Sequence, residues 1–184
     1  MSQIDVWISS NYTEAKKSNK FWQVALRNYA PSEKLSLEYN AYGKPTLKNN
    51  QKPYFNVSHT DGVAVLGVSA NAELGVDLES ITRKTTNIQR IIDKFFHRDE
   101  KLALESSQSH ERDFIYLWTI KEAFSKMKGL GIGYGLGNFI VDTNKENIFD
   151  IKEQKYYGYN LIELNNNFVC CIVPKFDTIQ FFNF

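Results

Sequence analysis

The sequence predicts an α+β fold, in which helices and strands are mixed without a regular strand–helix–strand alternation. Apolar and polar residues alternate over residues 4–8 and 74–79, which is the spacing of strands. Ile88, Ile91 and Phe95 instead recur at the spacing of an amphipathic helix. At 184 residues, 42% of them hydrophobic, the chain is long enough for one substantial domain or two closely packed halves.

The remaining elements follow from local patterns of the same two kinds. We predict strands over residues 4–8, 35–39, 54–58, 63–69, 74–79, 138–143, 158–164 and 167–173, and helices over 13–29, 88–95, from about 99, and over 112–127. Pro31 and Ser32 end the first helix. Residues 144–157 are expected to form a polar loop, and the glycine-rich stretch 129–137 an extended, flexible crossing.

The composition excludes some classes of function. The formal charge is +1, from 22 basic and 21 acidic residues, so no global field attracts nucleic acid or an anionic membrane. The longest apolar run, residues 63–68, is too short to span a bilayer. Cys170 and Cys171 are adjacent and would point to opposite faces of a strand, so we expect free thiols and a cytoplasmic protein.

Asp77 and Glu79 are the most informative pair of residues in the chain. In a strand they share one face, while the aliphatic residues between and beside them share the other. Two carboxylates on one face of an otherwise apolar strand repel each other and lose hydration unless a cation lies between them. A solvent-facing strand edge is the alternative interpretation. Oxygen ligands favour Mg²⁺ over Zn²⁺ at such a place.

The longest predicted helix carries a third carboxylate, Glu122. At about 100° per residue, Glu122 and Lys126 lie about 40° apart on one face, whereas Lys121 points elsewhere. A solvated ion pair one turn apart is the alternative interpretation. However, Ile115 and Trp118 flank the same face, and a charged pair among large apolar residues is typical of a functional site.

Two upstream segments contain groups that can bind an anion. Lys44 and Pro45 follow a glycine, and Ser58 and His59 lie where a predicted strand gives way to a turn. A hydroxyl, an imidazole and backbone N–H groups can all face an anion there. Each segment is also common as an ordinary turn. The glycines of residues 129–137 neither follow a strand nor open a helix, so they predict no Rossmann fingerprint and no P-loop.

Five motifs follow one another along the chain: Gly43-Lys-Pro45, Phe55-Asn-Val-Ser-His59, Gly75-Val-Asp-Leu-Glu79, Phe95-Phe96 followed by Glu100, and Trp118-Thr-Ile-Lys-Glu-Ala-Phe-Ser-Lys126. In this order they resemble the 4′-phosphopantetheinyl transferase superfamily. The resemblance covers roughly residues 40–140 and is strongest to the longer, surfactin-synthetase-activating type. In the short trimeric holo-acyl-carrier-protein synthases the carboxylate motif comes first, whereas here it follows the other two.

The resemblance implies a single-chain pseudo-dimer. Two similar α/β subdomains, each a small antiparallel sheet with a long helix, would pack about a pseudo-twofold axis with the active site in the cleft between them. We place the N-terminal half, with the coenzyme A contacts, at residues 1–70. The C-terminal half, with the carboxylates, would span residues 71–184. The same motif order implies a monomer.

The implied reaction transfers the 4′-phosphopantetheine arm of coenzyme A to a serine of an acyl or peptidyl carrier protein and releases 3′,5′-ADP. Mg²⁺, with Mn²⁺ as an alternative, would be held by Asp77, Glu79 and Glu122. Glu122 and Glu100 are the candidate bases for the serine hydroxyl, and Lys126 would stabilise or protonate the leaving phosphate. The coenzyme A contacts would be Lys44, Pro45, Ser58, His59, Lys121 and Lys126.

Two features depart from the family pattern. His97 stands three residues before Glu100, where the family often has Ser or Thr, so we expect no capping box and a less structural role for Glu100. The N-terminal region is also short and has no evident match to the family's basic contacts with the adenosine 3′-phosphate. By charge alone, the candidates for those contacts are Lys16, Lys17, Lys20 and Arg27. The short region leaves an alternative function, a non-catalytic module that binds coenzyme A or a carrier protein.

Overall fold

The computed structural model describes residues 2–12, 20–29, 36–48 and 52–184. The elements within these ranges are β1 (Gln3–Ser9), α1 (Lys20–Leu26), β2 (Leu37–Tyr39), β3 (Pro45–Leu47), β4 (Tyr54–Thr60), β5 (Val63–Ser69), β6 (Gly75–Ser80), α2 (Ile88–Phe95), α3 (Arg98–Glu105), α4 (His110–Lys128), β7 (Phe139–Asp142), β8 (Asn147–Asp150), β9 (Lys155–Gly158), β10 (Asn160–Leu164), β11 (Phe168–Val173) and β12 (Thr178–Asn183). The mixture confirms the predicted α+β class. No helix among these residues is long and apolar enough to cross a membrane.

The first sheet belongs to the N-terminal half but is completed by a strand from near the other end of the chain. Its order is β12-β1-β5-β4, with β12 parallel to β1 and the other neighbours antiparallel. Helix α1 packs on this sheet through Phe21, Ala25 and Leu26, which join a core cluster with Phe55 and Leu66. The part of the first predicted helix at residues 13–19, and the break at Pro31 and Ser32, lie outside the described residues.

The second sheet has the order β10-β11-β6, antiparallel throughout. Leu74, Val76 and Leu78 are buried in one apolar cluster, while Gly75 on the opposite face lies directly against α4. This confirms the predicted alternation, and it shows that β6 is covered on both faces rather than exposed at an edge. Both cysteines of β11 are buried free thiols.

The two sheets meet where β4 lies beside β6, and side chains of β4 make the connection. The Oδ1 atom of Asn56 accepts a hydrogen bond from the backbone N–H of Val76 at 2.8 Å. The Oγ atom of Ser58 accepts one from the N–H of Leu78 at 3.1 Å. Side chains thus satisfy buried backbone groups of β6 on the side away from β11. This arrangement also places Ser58 beside Asp77.

Two of the predicted segments are wrong, and two strands, β3 and β12, were missed. The expected loop over residues 144–157 contains β8 and β9, which form an antiparallel sheet with β7. Strands of four residues show too few alternations to be recognised by period. Strand β12 was not predicted at all. The glycine-rich stretch is not an extended crossing, because it forms two short 3₁₀ helices, Gly131–Tyr134 and Leu136–Asn138, with Leu136 fully buried.

Candidate active site

A cleft of about 270 Å³ lies between the two halves. One wall is the turn at residues 42–45 together with β4, and the other is the carboxyl-terminal part of α4, with Glu122 and Lys126. A larger neighbouring cavity of about 710 Å³ shares Lys44 and Gly129 with it, but Lys126 and the three predicted carboxylates do not line that cavity. Glu122 and Lys126 line the smaller cleft, which is therefore the candidate site.

Ser58, Asp77 and Lys126 form a tight polar cluster, of which Lys126 also lines the cleft. The Nζ atom of Lys126 lies 2.6 Å from Oδ1 of Asp77 and donates to Oγ of Ser58 at 2.9 Å. Ser58 in turn donates to the same Asp77 oxygen at 3.0 Å. Because its hydroxyl also accepts from β6, all three of its hydrogen-bonding positions are used.

Negative charge exceeds positive charge around this cluster. Burial raises the pKa of Glu122 to about 7, with a further increase from Asp77 that Lys126 opposes. Burial and Asp77 also raise the pKa of Glu79, although Glu79 has an ion pair with Arg83 at 3.1 Å. The three carboxylates predicted to act together are therefore close enough to repel one another.

One carboxylate oxygen in the cluster lacks a partner. The Oδ2 atom of Asp77 is buried and has no hydrogen bond from any described residue. An orphaned carboxylate oxygen beside two further carboxylates is a donor set that suits a hard cation. Within the described ranges, no three His, Cys, Asp or Glu side chains are already gathered as a metal site.

Lys44 has partners inside the protein. Its Nζ atom forms an ion pair with Glu73 at 2.7 Å and donates to the carbonyl oxygens of Leu74, at 3.3 Å, and Met127, at 3.0 Å. The ammonium thus satisfies a carbonyl at the carboxyl end of α4. Pro45 begins β3 and lines the cleft.

His59 is exposed at the residue after Ser58, and its ring stacks on Tyr12 with centroids 4.9 Å apart. Of the basic residues considered for the adenosine 3′-phosphate, Lys16 and Lys17 lie outside the described residues, as does the side chain of Lys20. Arg27 is exposed in the turn after α1.

Glu100 and Lys121 lie apart from the cluster, as a buried ion pair. Their side chains are both fully buried, with 2.9 Å between Lys121 Nζ and Glu100 Oε1. Lys121 also donates to the carbonyls of Leu136 and Phe139, and Glu100 accepts from the N–H of Val141 at 2.8 Å. The pair therefore joins α3, α4 and β7 inside the C-terminal half.

The prediction that α3 lacks a capping box is wrong. The Nδ1 atom of His97 accepts from the backbone N–H of Asp99 at 3.3 Å, and Oε2 of Glu100 accepts from the N–H of His97 at 2.7 Å. A neutral imidazole nitrogen accepts a hydrogen bond as a hydroxyl does, so His97 replaces the expected Ser or Thr. Glu100 is thus a capping residue as well as an ion-pair partner.

The end of α4 is fixed by a second polar cluster. Lys128 lies 3.0 Å from Asp150 and 2.6 Å from Glu153. Tyr134, in the first 3₁₀ helix, donates to both carboxylate oxygens of Asp150. The glycine-rich stretch is therefore attached to the β8–β9 turn. Sequence reasoning missed this cluster, and it also missed Asn56, because both depend on how distant segments pack.

This chain is similar in sequence to known proteins. The sequence profile of the 4′-phosphopantetheinyl transferase superfamily matches residues 73–173. The 4′-phosphopantetheinyl transferase psf-1 of Bacillus pumilus is 37% identical over 63% of this chain and 49% of its own length. The transferase gsp of Aneurinibacillus migulanus is 29% identical over 81% of this chain and 62% of its own. The transferase Sfp of Bacillus subtilis is 32% identical over 57% and 46%.

The chain thus spans about half the length of several curated relatives that it matches. The matched segment nevertheless includes β6, α4 and β11, which hold Asp77, Glu79, Glu122 and Lys126 in place. It also covers more than half of the 184 residues. We conclude that this chain belongs to the 4′-phosphopantetheinyl transferase superfamily.

Proposed function

We propose that this protein transfers the 4′-phosphopantetheine arm of coenzyme A to a serine of an acyl or peptidyl carrier protein. One observation carries the proposal. Lys126 is held 2.6 Å from Asp77 in a cleft that also contains Glu122, so positive charge and excess carboxylate charge meet where a phosphate could lie. Membership of the superfamily supports the choice of coenzyme A and a carrier protein as substrates.

In the proposed step, the serine oxygen of the carrier attacks the β-phosphorus of coenzyme A. A phosphorus–oxygen bond to serine forms, and the bond from that phosphorus to the bridging oxygen breaks, so 3′,5′-ADP leaves with the electron pair. Glu122 lies in the cleft and is the residue that we propose accepts the serine proton. Lys126 offers its positive charge to the leaving phosphate.

We propose that Asp77, Glu79 and Glu122 hold Mg²⁺, with Mn²⁺ as an alternative. The orphaned oxygen of Asp77 supports this assignment, as does the mutual repulsion of the three carboxylates. When bound, the ion neutralises charge on the pyrophosphate. Carboxylate oxygens are the ligands that hard divalent cations prefer.

The contacts with coenzyme A are proposed to divide into two kinds. The hydroxyl of Ser58 and the ammonium of Lys44 already have partners inside the protein, so we propose that they shape the cleft. Pro45 lines the cleft, and His59 is exposed and stacks on Tyr12; we propose that these two contact the ligand. The buried pair of Glu100 and Lys121 is assigned to the scaffold.

The test is transfer of a labelled coenzyme A arm to a panel of apo carrier proteins, with and without Mg²⁺. Asp77→Asn and Glu122→Gln keep the side-chain shapes but remove negative charge, so each should lower kcat/KM by about 100-fold or more. Glu105→Gln, on the exposed end of α3, is the control and should transfer like the wild type. Wild-type activity in both site variants would reject the proposed metal and base residues.

The same assay separates catalysis from binding alone. The alternative function is a non-catalytic module that binds coenzyme A or a carrier protein. Such a module would bind coenzyme A in a calorimeter yet label no carrier in the panel. Lys121→Met tests the scaffold assignment in parallel, because it should lower the melting temperature strongly while the folded fraction retains Mg²⁺-dependent transfer.

A further inference from the structure

A single asparagine, Asn40, builds the turn that forms one wall of the cleft. Its Oδ1 atom accepts hydrogen bonds from the backbone N–H groups of Tyr42 and Lys44, both at 2.9 Å. Its backbone N–H donates to the carbonyl of Lys44 at 3.1 Å, and its own carbonyl accepts from Gly43 at 3.0 Å. Gly43 adopts a φ of 83°, which only glycine adopts easily. The shape of the turn therefore depends on Asn40.

The same side chain reaches 89 residues along the chain to the end of α4. Its Nδ2 atom donates to the carbonyl oxygen of Gly129 at 2.6 Å. Gly129 is the left-handed residue that ends the helix, with φ 67°, and it lies three residues after Lys126. Lys44 adds a second link through the carbonyl of Met127. Two side chains of one short turn thus hold the helix end that carries the lysine of the polar cluster.

The chemistry of this contact requires an amide. The turn needs an acceptor for two N–H groups, whereas Gly129 needs a donor for its carbonyl, and a side-chain amide carries both on one short planar group. The approach is also close, because a Cβ atom at residue 129 would lie 3.0 Å from Asn40 Nδ2. An aspartate at residue 40 could accept both N–H groups of the turn, but its second carboxylate oxygen would face the carbonyl oxygen of Gly129 and repel it.

We propose that Asn40 is a positioning residue for the transfer reaction, and this inference rests on the function proposed above. It fixes the distance between the wall at residues 42–45, which comes from one half of the molecule, and Lys126, which comes from the other. A phosphate held against that wall must meet Lys126 and the carboxylates in line for attack. A misplacement of about 1 Å at such a point can cost about 100-fold in rate.

Two variants separate the two tasks of Asn40. Asn40→Asp keeps the acceptor for the turn but removes the link to Gly129, so kcat should fall by about 10- to 100-fold while the Kd for coenzyme A changes by less than about threefold. Asn40→Ala removes both, so the Kd for coenzyme A should rise as well. A role in stability alone would not produce this split between kcat and Kd.

Asn160 provides a matched control. It too bonds a distant backbone segment with both side-chain atoms, accepting from the N–H of Phe176 at 2.7 Å and donating to its carbonyl at 3.3 Å. Unlike the turn at residues 42–45 and Gly129, which Asn40 joins, neither Asn160 nor Phe176 lines the cleft. Asn160→Asp should lower the melting temperature and leave kcat and Kd unchanged. If Asn40→Asp matches the wild type in kcat, the proposal is overturned.

Hydrogen–deuterium exchange gives a readout that does not depend on activity. Asn40→Asp should speed exchange at residues 127–131 but not at residues 42–45. Asn40→Ala should speed exchange in both segments. Asn160→Asp should change exchange in neither segment. Unchanged exchange at residues 127–131 in both Asn40 variants would overturn the proposed link. A wild type that neither binds coenzyme A nor transfers its arm would overturn the proposed function instead, and the exchange result would still stand.

Discussion

At the scale of the residue, Asp150 shows how this protein stabilises a buried charge. It is fully buried at the end of β8, where burial alone would raise its pKa. Hydrogen bonds from Tyr134 and Lys128, and from the backbone N–H of Glu153, lower the pKa below its usual 3.8. Because Lys128 ends α4 and Tyr134 lies in the glycine-rich stretch, the charge of Asp150 holds the segment beside the cleft.

Asp150→Asn should therefore destabilise the protein in a pH-dependent way. The folded pKa lies below the unfolded pKa, so the stabilisation is full above the unfolded pKa and is lost as the pH falls through the folded value. We expect a cost of about 3 kcal/mol at pH 7, because the positive charge of Lys128 loses a buried partner. In urea denaturation, the difference in the free energy of unfolding between the wild type and Asp150→Asn should narrow below a pH of about 4.

The exposed Lys145–Asp142 pair supplies the control for this measurement. Asp142→Asn should change the free energy of unfolding by less than about 1 kcal/mol, as is usual for surface pairs. If Asp150→Asn instead lowers the free energy of unfolding by the same amount from pH 7 to pH 3, the negative charge of Asp150 is not the source of the stabilisation.

At the scale of the element, the contact between β6 and α4 brings the polar residues together. Gly75 makes the contact possible, because a Cβ atom there would overlap the carbonyl of Ala123 and the backbone nitrogen of Met127. The helix can therefore lie directly on the strand. Two residues further along β6, Asp77 reaches Lys126 on the same helix. Close packing of backbones is thus the structural cause of the polar cluster.

Gly75→Ala should push α4 away from β6. We expect a loss of about 3 kcal/mol or more in the free energy of unfolding, because backbone atoms of a helix cannot move aside as a side chain can. Transfer should fall more than the folded fraction does, since Lys126 would separate from Asp77. Gly137→Ala is the matched control, because its Cβ would meet nothing closer than 3.9 Å. Equal losses in the free energy of unfolding for Gly75→Ala and Gly137→Ala would contradict the requirement for close contact between β6 and α4.

At the scale of the whole molecule, the first sheet is completed by β12 from near the other end of the chain. Trp7 of β1 stacks on Phe182 of β12, with ring centroids 4.8 Å apart, and the N–H of Ser2 donates to Asp177 at 2.8 Å. The N-terminal half therefore depends on residues that belong in sequence to the C-terminal half. Removing the contact should weaken the half that contains the turn at residues 42–45.

Phe182→Ala and Phe181→Ala test this dependence on adjacent residues of one strand. Phe182 is half-buried against Trp7, whereas Phe181 is 49% exposed. We expect Phe182→Ala to cost about 1–2 kcal/mol in urea denaturation and Phe181→Ala less than about 0.5 kcal/mol. A larger cost for Phe181→Ala than for Phe182→Ala would contradict the conclusion that Phe182 lies on the packed face of β12 and Phe181 on the exposed face.

Much of the C-terminal half was predictable because its signals are local. The alternation in β6 places Asp77 on the face opposite Leu78, and helical spacing places Glu122 beside Lys126. The hydrogen bonds of Lys44 and Asn40 to carbonyl groups at the end of α4 were not predictable, because both depend on how the turn packs on a helix end more than 80 residues away. His97 misled sequence reasoning, because its ring nitrogen caps α3 in place of a hydroxyl.

The parallel pairing of β1 with β12 also determines the order in which the protein can fold during its synthesis. Paired residues such as Gln3 and Thr178 lie 175 positions apart, so a ribosome adding about 5–20 residues per second makes them about 10–35 s apart. Throughout that interval one edge of β1 has no partner strand. An unpaired edge invites pairing with other chains, so newly made copies should be most prone to aggregate before β12 emerges.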